Sequence, residues 1–182
     1  MVIITDYTLI LKEESDVFFV ESNEPIPPCP KCSGAMKYRD SKIRICKKEG
    51  GEKTHLMISR VQCSNCHSYH NQLPDCLAPY KHYEAEVIAG VIDGIVTPDD
   101  EDAEEYPCLS TMKRWIFWFR MNMANMEGWL RNIGYLILGW NRDILFTSDS
   151  LLELIRKQHM NWLEITLRII YNSGGVLPAI PF

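Results

Sequence analysis

Cys29-Pro-Lys-Cys32 and Arg60-Val-Gln-Cys63-Ser-Asn-Cys66, with thirty residues between the two cysteine pairs, decide how this chain is read. Two residues between thiols let one tight turn aim both sulfurs at a single ion, with backbone amides directed at the sulfurs. Two such turns complete a tetrahedral shell of four sulfurs, a geometry that zinc accepts without preference from its d electrons. A metal held there supplies folding energy that so short a hairpin cannot draw from a core of its own. The spacing therefore predicts one Zn2+ held by Cys29, Cys32, Cys63 and Cys66. Iron competes for the same sulfurs, because two such turns also describe a rubredoxin-like redox centre. The basic hairpin, without any flavin or nicotinamide signature, favours zinc. Four thiolates leave no position open for water or substrate, so the metal is expected to be structural rather than catalytic. His67 and His70, just past the second pair, are alternative ligands or thiolate donors, with an ordinary turn or surface histidine as the plainer reading.

Strands are expected to join the pairs. Met36–Lys47 and His55–Val61 read as the two arms of a hairpin, with Glu49-Gly50-Gly51-Glu52 as its turn. Val2–Leu11 and Val17–Val20, rich in β-branched and aromatic residues, read as a shorter hairpin ahead of it, and Leu73–Pro79 as an extended return segment. From Tyr80 the period changes. Val87, Ile88, Val91, Ile92 and Ile95 recur at helical spacing and predict a helix over about Tyr83–Ile95. A second helix, capped by Ser110, starts at Thr111 with Trp115, Ile116, Phe119 and Met123 on one side, and Gly128 and Gly134 are candidate interruptions. Ser150 and Glu153 form a capping box for a last helix to about Ile170. The fold class is α+β: an N-terminal β-rich zinc ribbon, residues 1–82, packed against or followed by a helical half, residues 83–182, with an acidic linker at 97–107.

The net charge of −5 argues against a chain that coats nucleic acid over its whole surface, yet the charge is segregated. Residues 29–82 carry ten Lys and Arg against four acids, whereas residues 83–109 have nine acids and no Lys or Arg. Six of the seven residues Asp99–Glu105 are acidic, a run that repels itself and favours solvent. The opening MVIITDYTLILKEESD lacks the basic start and cleavage site of a secretory signal, and no apolar run approaches the ~18 residues of a membrane span. The odd count of seven cysteines also departs from a secreted disulfide framework, so a cytoplasmic protein without membrane association is expected. Cys46, Cys76 and Cys108 read as small buried residues. No nucleophile arrangement and no phosphate-cradling glycine loop stands out, and no small-molecule substrate is expected.

The basic block lies on the hairpin. Lys37, Arg39, Lys42, Arg44, Lys47 and Lys48 are candidate phosphate contacts, with Lys37 and Arg39 on one strand face and Lys42 and Arg44 on the other if a period of two holds. Lys113, Arg114 and Arg120 on the second helix are further candidates if that helix reads DNA in a helix-turn-helix. Cys29-Pro-x-Cys32, Arg60-Val-Gln-Cys63-x-x-Cys66, His70-x-x-Leu73-Pro74 and Pro79-Tyr80-Lys81-x-Tyr83 together resemble the N-terminal zinc ribbon of certain bacterial transposases. They resemble more closely an uncharacterised bacterial domain family built as such a ribbon followed by helix-turn-helix-like helices. The resemblance covers about residues 25–120 and implies DNA binding, in a regulator or accessory factor of a mobile element. The acidic catalytic domain of a transposase has no counterpart here. The leading expectation is a non-catalytic zinc-ribbon DNA-binding protein. The alternative is a zinc-stabilised adaptor or homodimer whose Trp-, Phe- and Met-rich helices meet a protein partner.

Overall fold

The computed structural model describes residues 1–11, 16–99, 107–136, 141–146 and 148–179. The acidic linker falls mostly outside these residues. Among them, strands come first and helices after: β1 (Val2–Ile4), β2 (Tyr7–Leu11), β3 (Val17–Ser22), β4 (Met36–Lys47), β5 (Lys53–Cys63), β6 (Tyr69–Pro74), α1 (Ala85–Asp93), α2 (Leu109–Leu136), α3 (Leu151–Gln158) and α4 (Trp162–Asn172). This is the α+β order expected from the sequence.

The spine of the sheet is β5. Along one edge it pairs antiparallel with β4 over its whole length, from Met36 opposite Cys63 to Lys47 opposite Lys53. Its other edge is shared between β3, parallel, and β6, antiparallel. The outermost strands are β1, parallel to β6, and β2, antiparallel to β3. Gly50 and Gly51, both at φ 78°, turn the long hairpin through left-handed backbone that side chains other than glycine resist. Leu56 and Ile58 pack with Val20, Cys46 and Leu73, whereas Val61 and Cys63 pack with Val2, Cys29 and Met36.

Strand alternation breaks at one point. The register shifts between Tyr38 and Asp40, which makes Arg39 the extra residue of a bulge. Lys37 then stands opposite Gln62, Lys42 opposite Ile58 and Arg44 opposite Leu56. Their partners are even-numbered positions of one strand, so the three cations share a face. A strict period of two separates Lys37 from the other pair. The bulge reunites them.

The helices bury the faces their periodicity predicts, with three differences. Helix α2 runs unbroken through Gly128 and Gly134, because Trp115, Trp118, Phe119, Met126, Leu130 and Ile133 are all buried along it. Each such side chain contributes about 1.5–3 kcal/mol, against a cost of about 1 kcal/mol for a glycine in a helix. The amides of Thr111 and Met112 bond the Cys108 carbonyl, so the helix starts ahead of Ser110. The single helix expected after Ser150 is two: Ser150 caps α3 by accepting from the Glu153 amide, and the chain turns at His159–Asn161 before α4. That turn lets Leu151 and Leu152 enter the same core as Leu163 and Leu167. The sheet joins this core through β1, whose Ile3 amide donates to Asn172 Oδ1 at 2.7 Å while Asn172 Nδ2 donates back to the Ile3 carbonyl at 2.8 Å. Among the described residues, no helix is long and apolar enough to cross a membrane.

Candidate metal centre

Each Cys-x-x-Cys segment folds as the same turn. The Cys29 amide donates to the Gly34 carbonyl at 2.9 Å, and the Cys63 amide to the Ser68 carbonyl at 3.0 Å. Ser33 and His67, each following its pair, donate back to the carbonyls of Cys29 and Cys63 at 2.7 and 3.1 Å. Both adopt left-handed backbone, with φ of 57° and 56°. His67 is thereby a turn residue. The hairpin sets the two turns side by side, since Met36 pairs with Cys63 and the Ser64 amide donates to the Ala35 carbonyl at 2.9 Å.

This packing brings all four sulfurs within 4.8 Å of one another, close enough to hold one metal ion. Cys29 and Cys66 stand 3.7 Å apart, and Cys32 and Cys63 3.5 Å apart. A tetrahedral ion with metal–sulfur bonds of about 2.3 Å requires neighbouring sulfurs about 3.8 Å apart, so the donor set is compatible with zinc. Cys29 and Cys63 are buried and Cys32 and Cys66 exposed. The amides of Asn65 and Cys66 point at the Cys63 sulfur at 3.4 and 3.5 Å, as a thiolate needs.

The thiols are electrostatically unequal. Hydrogen bonds from the Ser68 hydroxyl and amide bring Cys66 down to about 6. The Cys66 amide lowers Cys63. Cys32 rises to about 11: the Gly34 amide favours its thiolate, but hydrogen bonds with the Cys66 and Cys63 sulfurs keep the proton on it. Metal binding requires the thiolate form, so a cation entering the cluster displaces the proton held on Cys32.

Two residues complete the surround. His70, on β6, is buried, with Nε2 3.4 Å from the Cys29 sulfur and Nδ1 2.9 Å from the Met1 nitrogen. With Nδ1 accepting from Met1, Nε2–H donates to the sulfur, an outer-shell contact that orients a ligand. Burial pushes this imidazole down to about 4, which keeps it neutral. Gly34 sits between the turns: a Cβ there lies 2.8 Å from Asn65 Cβ and 3.1 Å from Cys63 Sγ. The spacing of cysteines contains no trace of either constraint, although His70 follows Cys66 closely enough to be a candidate donor.

The basic residues are dispersed. Lys37 and Lys42 are exposed on one face of the hairpin. Arg44, half-buried, donates to the Lys81 carbonyl at 2.8 Å. Arg39 pairs with Asp40 and lies over the Tyr69 ring, and Lys48 pairs with Glu52. Lys47 and Arg114 meet in a separate cleft against α2, while Lys113 and Arg120 are exposed on that helix. Of the remaining cysteines, Cys46 is buried as expected, its sulfur 3.6 Å from Glu84 Oε1, and a hydrogen bond with Cys76 holds its thiol protonated. Cys108 departs from expectation: it is exposed at the start of α2, where the hydroxyls of Ser110 and Thr111 bring it down to about 7.

A family model described as a domain of unknown function (DUF6431) matches residues 29–115, from the first cysteine turn into the first turns of α2. No curated protein and no solved structure matches the chain.

Proposed function

We propose that the chain is a zinc-ribbon protein that binds DNA without catalysing a reaction on it. The single observation behind this reading is the meeting of two Cys-x-x-Cys turns at the end of a hairpin on which Lys37 and Lys42 are exposed. Zinc suits a shell of four thiolates and, with none of its positions open, serves to hold the turns together. The ion then fixes the hairpin as a rigid basic edge, and each phosphate neutralised along it releases counterion. Arg44 and Lys47 extend this edge toward α2. An accessory role on mobile-element DNA is the setting that the motif resemblance implies.

Metal analysis of the purified protein tests the first half: one zinc per chain and no colour is the expected result, whereas visible absorption from iron refutes zinc. A gel shift at low salt tests the second. Lys37→Gln with Lys42→Gln should weaken binding and flatten the dependence of log affinity on log salt by about two contacts' worth. No retained DNA, single- or double-stranded, defeats the reading. A protein-adaptor reading draws on a different feature: Leu9, Ile10 and Leu11 are exposed in succession on β2, an outer strand of the sheet. Such an edge pairs with a partner strand, and a salt-insensitive oligomer without DNA affinity favours it.

A further inference from the structure

A second constellation lies away from the cysteines. The segment after β6, the end of β4 and the first turns of α2 enclose an open cleft of about 350 Å³, lined on its polar side by Lys47, Lys81 and Arg114 and on its apolar side by Tyr80, Tyr83 and Trp118. Among the described residues, no acidic side chain lines it. The segments approach because Arg44 grips the Lys81 carbonyl and because the Lys47 amide donates to the His82 carbonyl at 2.7 Å. Lys81 Nζ stands 3.9 Å from the centre of the Trp118 ring, and Lys47 Nζ 4.9 Å from that of Tyr83.

We infer that this cleft binds a single unpaired nucleotide, its phosphate on Lys47, Lys81 and Arg114 and its base against Tyr80. Cations beside aromatic walls are the combination that holds unstacked nucleotides, because every base has a stacking face and every phosphate a charge. The volume falls at the lower end of small-ligand sites, about 300–1,000 Å³, enough for one nucleotide and too little for a duplex. Tyr80 lines the cleft, is exposed, and adopts φ 62°, a left-handed conformation unfavourable for an aromatic residue. Burial brings the Lys81 ammonium down to about 8, so an incoming anion restores what desolvation costs it. The nucleotide is either free or a position in a single strand. In the second case the inference extends the DNA-binding reading and rests on it.

Tryptophan fluorescence and calorimetry on the metal-loaded full chain separate these cases, with 5′-AMP, adenosine, inorganic phosphate, a short single-stranded oligonucleotide and a duplex as ligands. Saturable binding of AMP, with adenosine and phosphate each far weaker, places the source as a free nucleotide. Binding of the oligonucleotide without AMP places it in a strand. In either case Tyr80→Ala should weaken binding roughly tenfold or more, and Arg114→Gln, also at an exposed position, several-fold. Saturable binding of neither ligand, or affinity that both substitutions leave unchanged, overturns the inference. Adenosine or phosphate matching AMP overturns it too. Lys37→Gln with Lys42→Gln distinguishes the two readings: strand binding lost there but kept in Tyr80→Ala sinks the cleft and spares the hairpin. AMP binding without any gel shift does the reverse.

Discussion

Gly34→Ala should weaken metal binding through a single added methyl group. The new Cβ lies 2.8 Å from Asn65 Cβ, 3.1 Å from Cys63 Sγ and 3.4 Å from Cys32 Sγ. Ordinary contact between such atoms begins near 3.4–4 Å, so the two turns must part by about half an ångström or more. That movement separates Cys32 from Cys63, which stand 3.5 Å apart and already match a tetrahedral shell. Overpacking of this kind costs about 1–3 kcal/mol. At about 1.4 kcal/mol per tenfold, the zinc dissociation constant should rise roughly 5- to 150-fold. Competition against a chromogenic chelator measures it directly. Asn65→Gly removes the closest obstructing atom, so adding it to Gly34→Ala should recover much of the loss, and the coupling isolates the contact. Unchanged affinity in Gly34→Ala, or a loss that Asn65→Gly leaves intact, refutes the claim that the turns meet closely enough to need glycine.

His70→Phe preserves the buried bulk but removes the donor to Cys29, and chelator competition should report zinc binding weakened roughly tenfold or more. Glu127 is partly buried, which opposes its charge, but it accepts from the amides of Leu152 and Leu151 and the Ser150 hydroxyl, and its carboxyl sits below its ordinary value of 4.5. A depressed carboxylate stabilises above its unfolded value and loses that contribution as pH falls, so Glu127→Gln should cost about 1–2 kcal/mol in urea denaturation at neutral pH and almost nothing near pH 3. Glu164 has the opposite sign, since burial, with Asp75 next in effect, raises it to about 7 from 4.5. Its stabilising contribution is full at low pH and is lost as pH rises through about 7. Glu164→Gln should therefore add about 1 kcal/mol at pH 8, discounted for its partial exposure, and leave stability unchanged at pH 4.

The parts of this fold that were legible in the sequence are those set by neighbours along the chain. Two residues between cysteines determine a turn, Gly50-Gly51 determines a hairpin, and Val87, Ile88 and Val91 determine a helical face. Ser150 and Glu153 gave the start of α3 because a capping box is local. The bulge at Arg39 depends on which residues of β5 stand opposite, and the pairing of β1 with β6 joins residues about seventy positions apart. Neither leaves a mark within a short window. The glycines of α2 misled for the converse reason: local propensity argued for a break, and burial of Trp118, Met126, Leu130 and Ile133 along the same helix outweighed it. The cleft draws Lys47, Tyr80 and Arg114 from three separate segments, so only the folded chain brings them together.

The position of the metal centre within the topology gives it reach beyond the hairpin. Cys29 touches His70, His70 belongs to β6, and β6 pairs with β1. From β1, Ile3 enters the helical core and exchanges two hydrogen bonds with Asn172 at the end of α4. The chain then turns back, with Gly174 set so closely against the Pro30 carbonyl that a Cβ there lies 2.6 Å from it. The first cysteine turn is thus clamped between the strand that enters the helical core and the loop that leaves it. Because buried, close-packed elements transmit displacement rather than absorb it, a metal ion held by these four sulfurs would couple to the sheet and the last helix, and not to two surface turns alone.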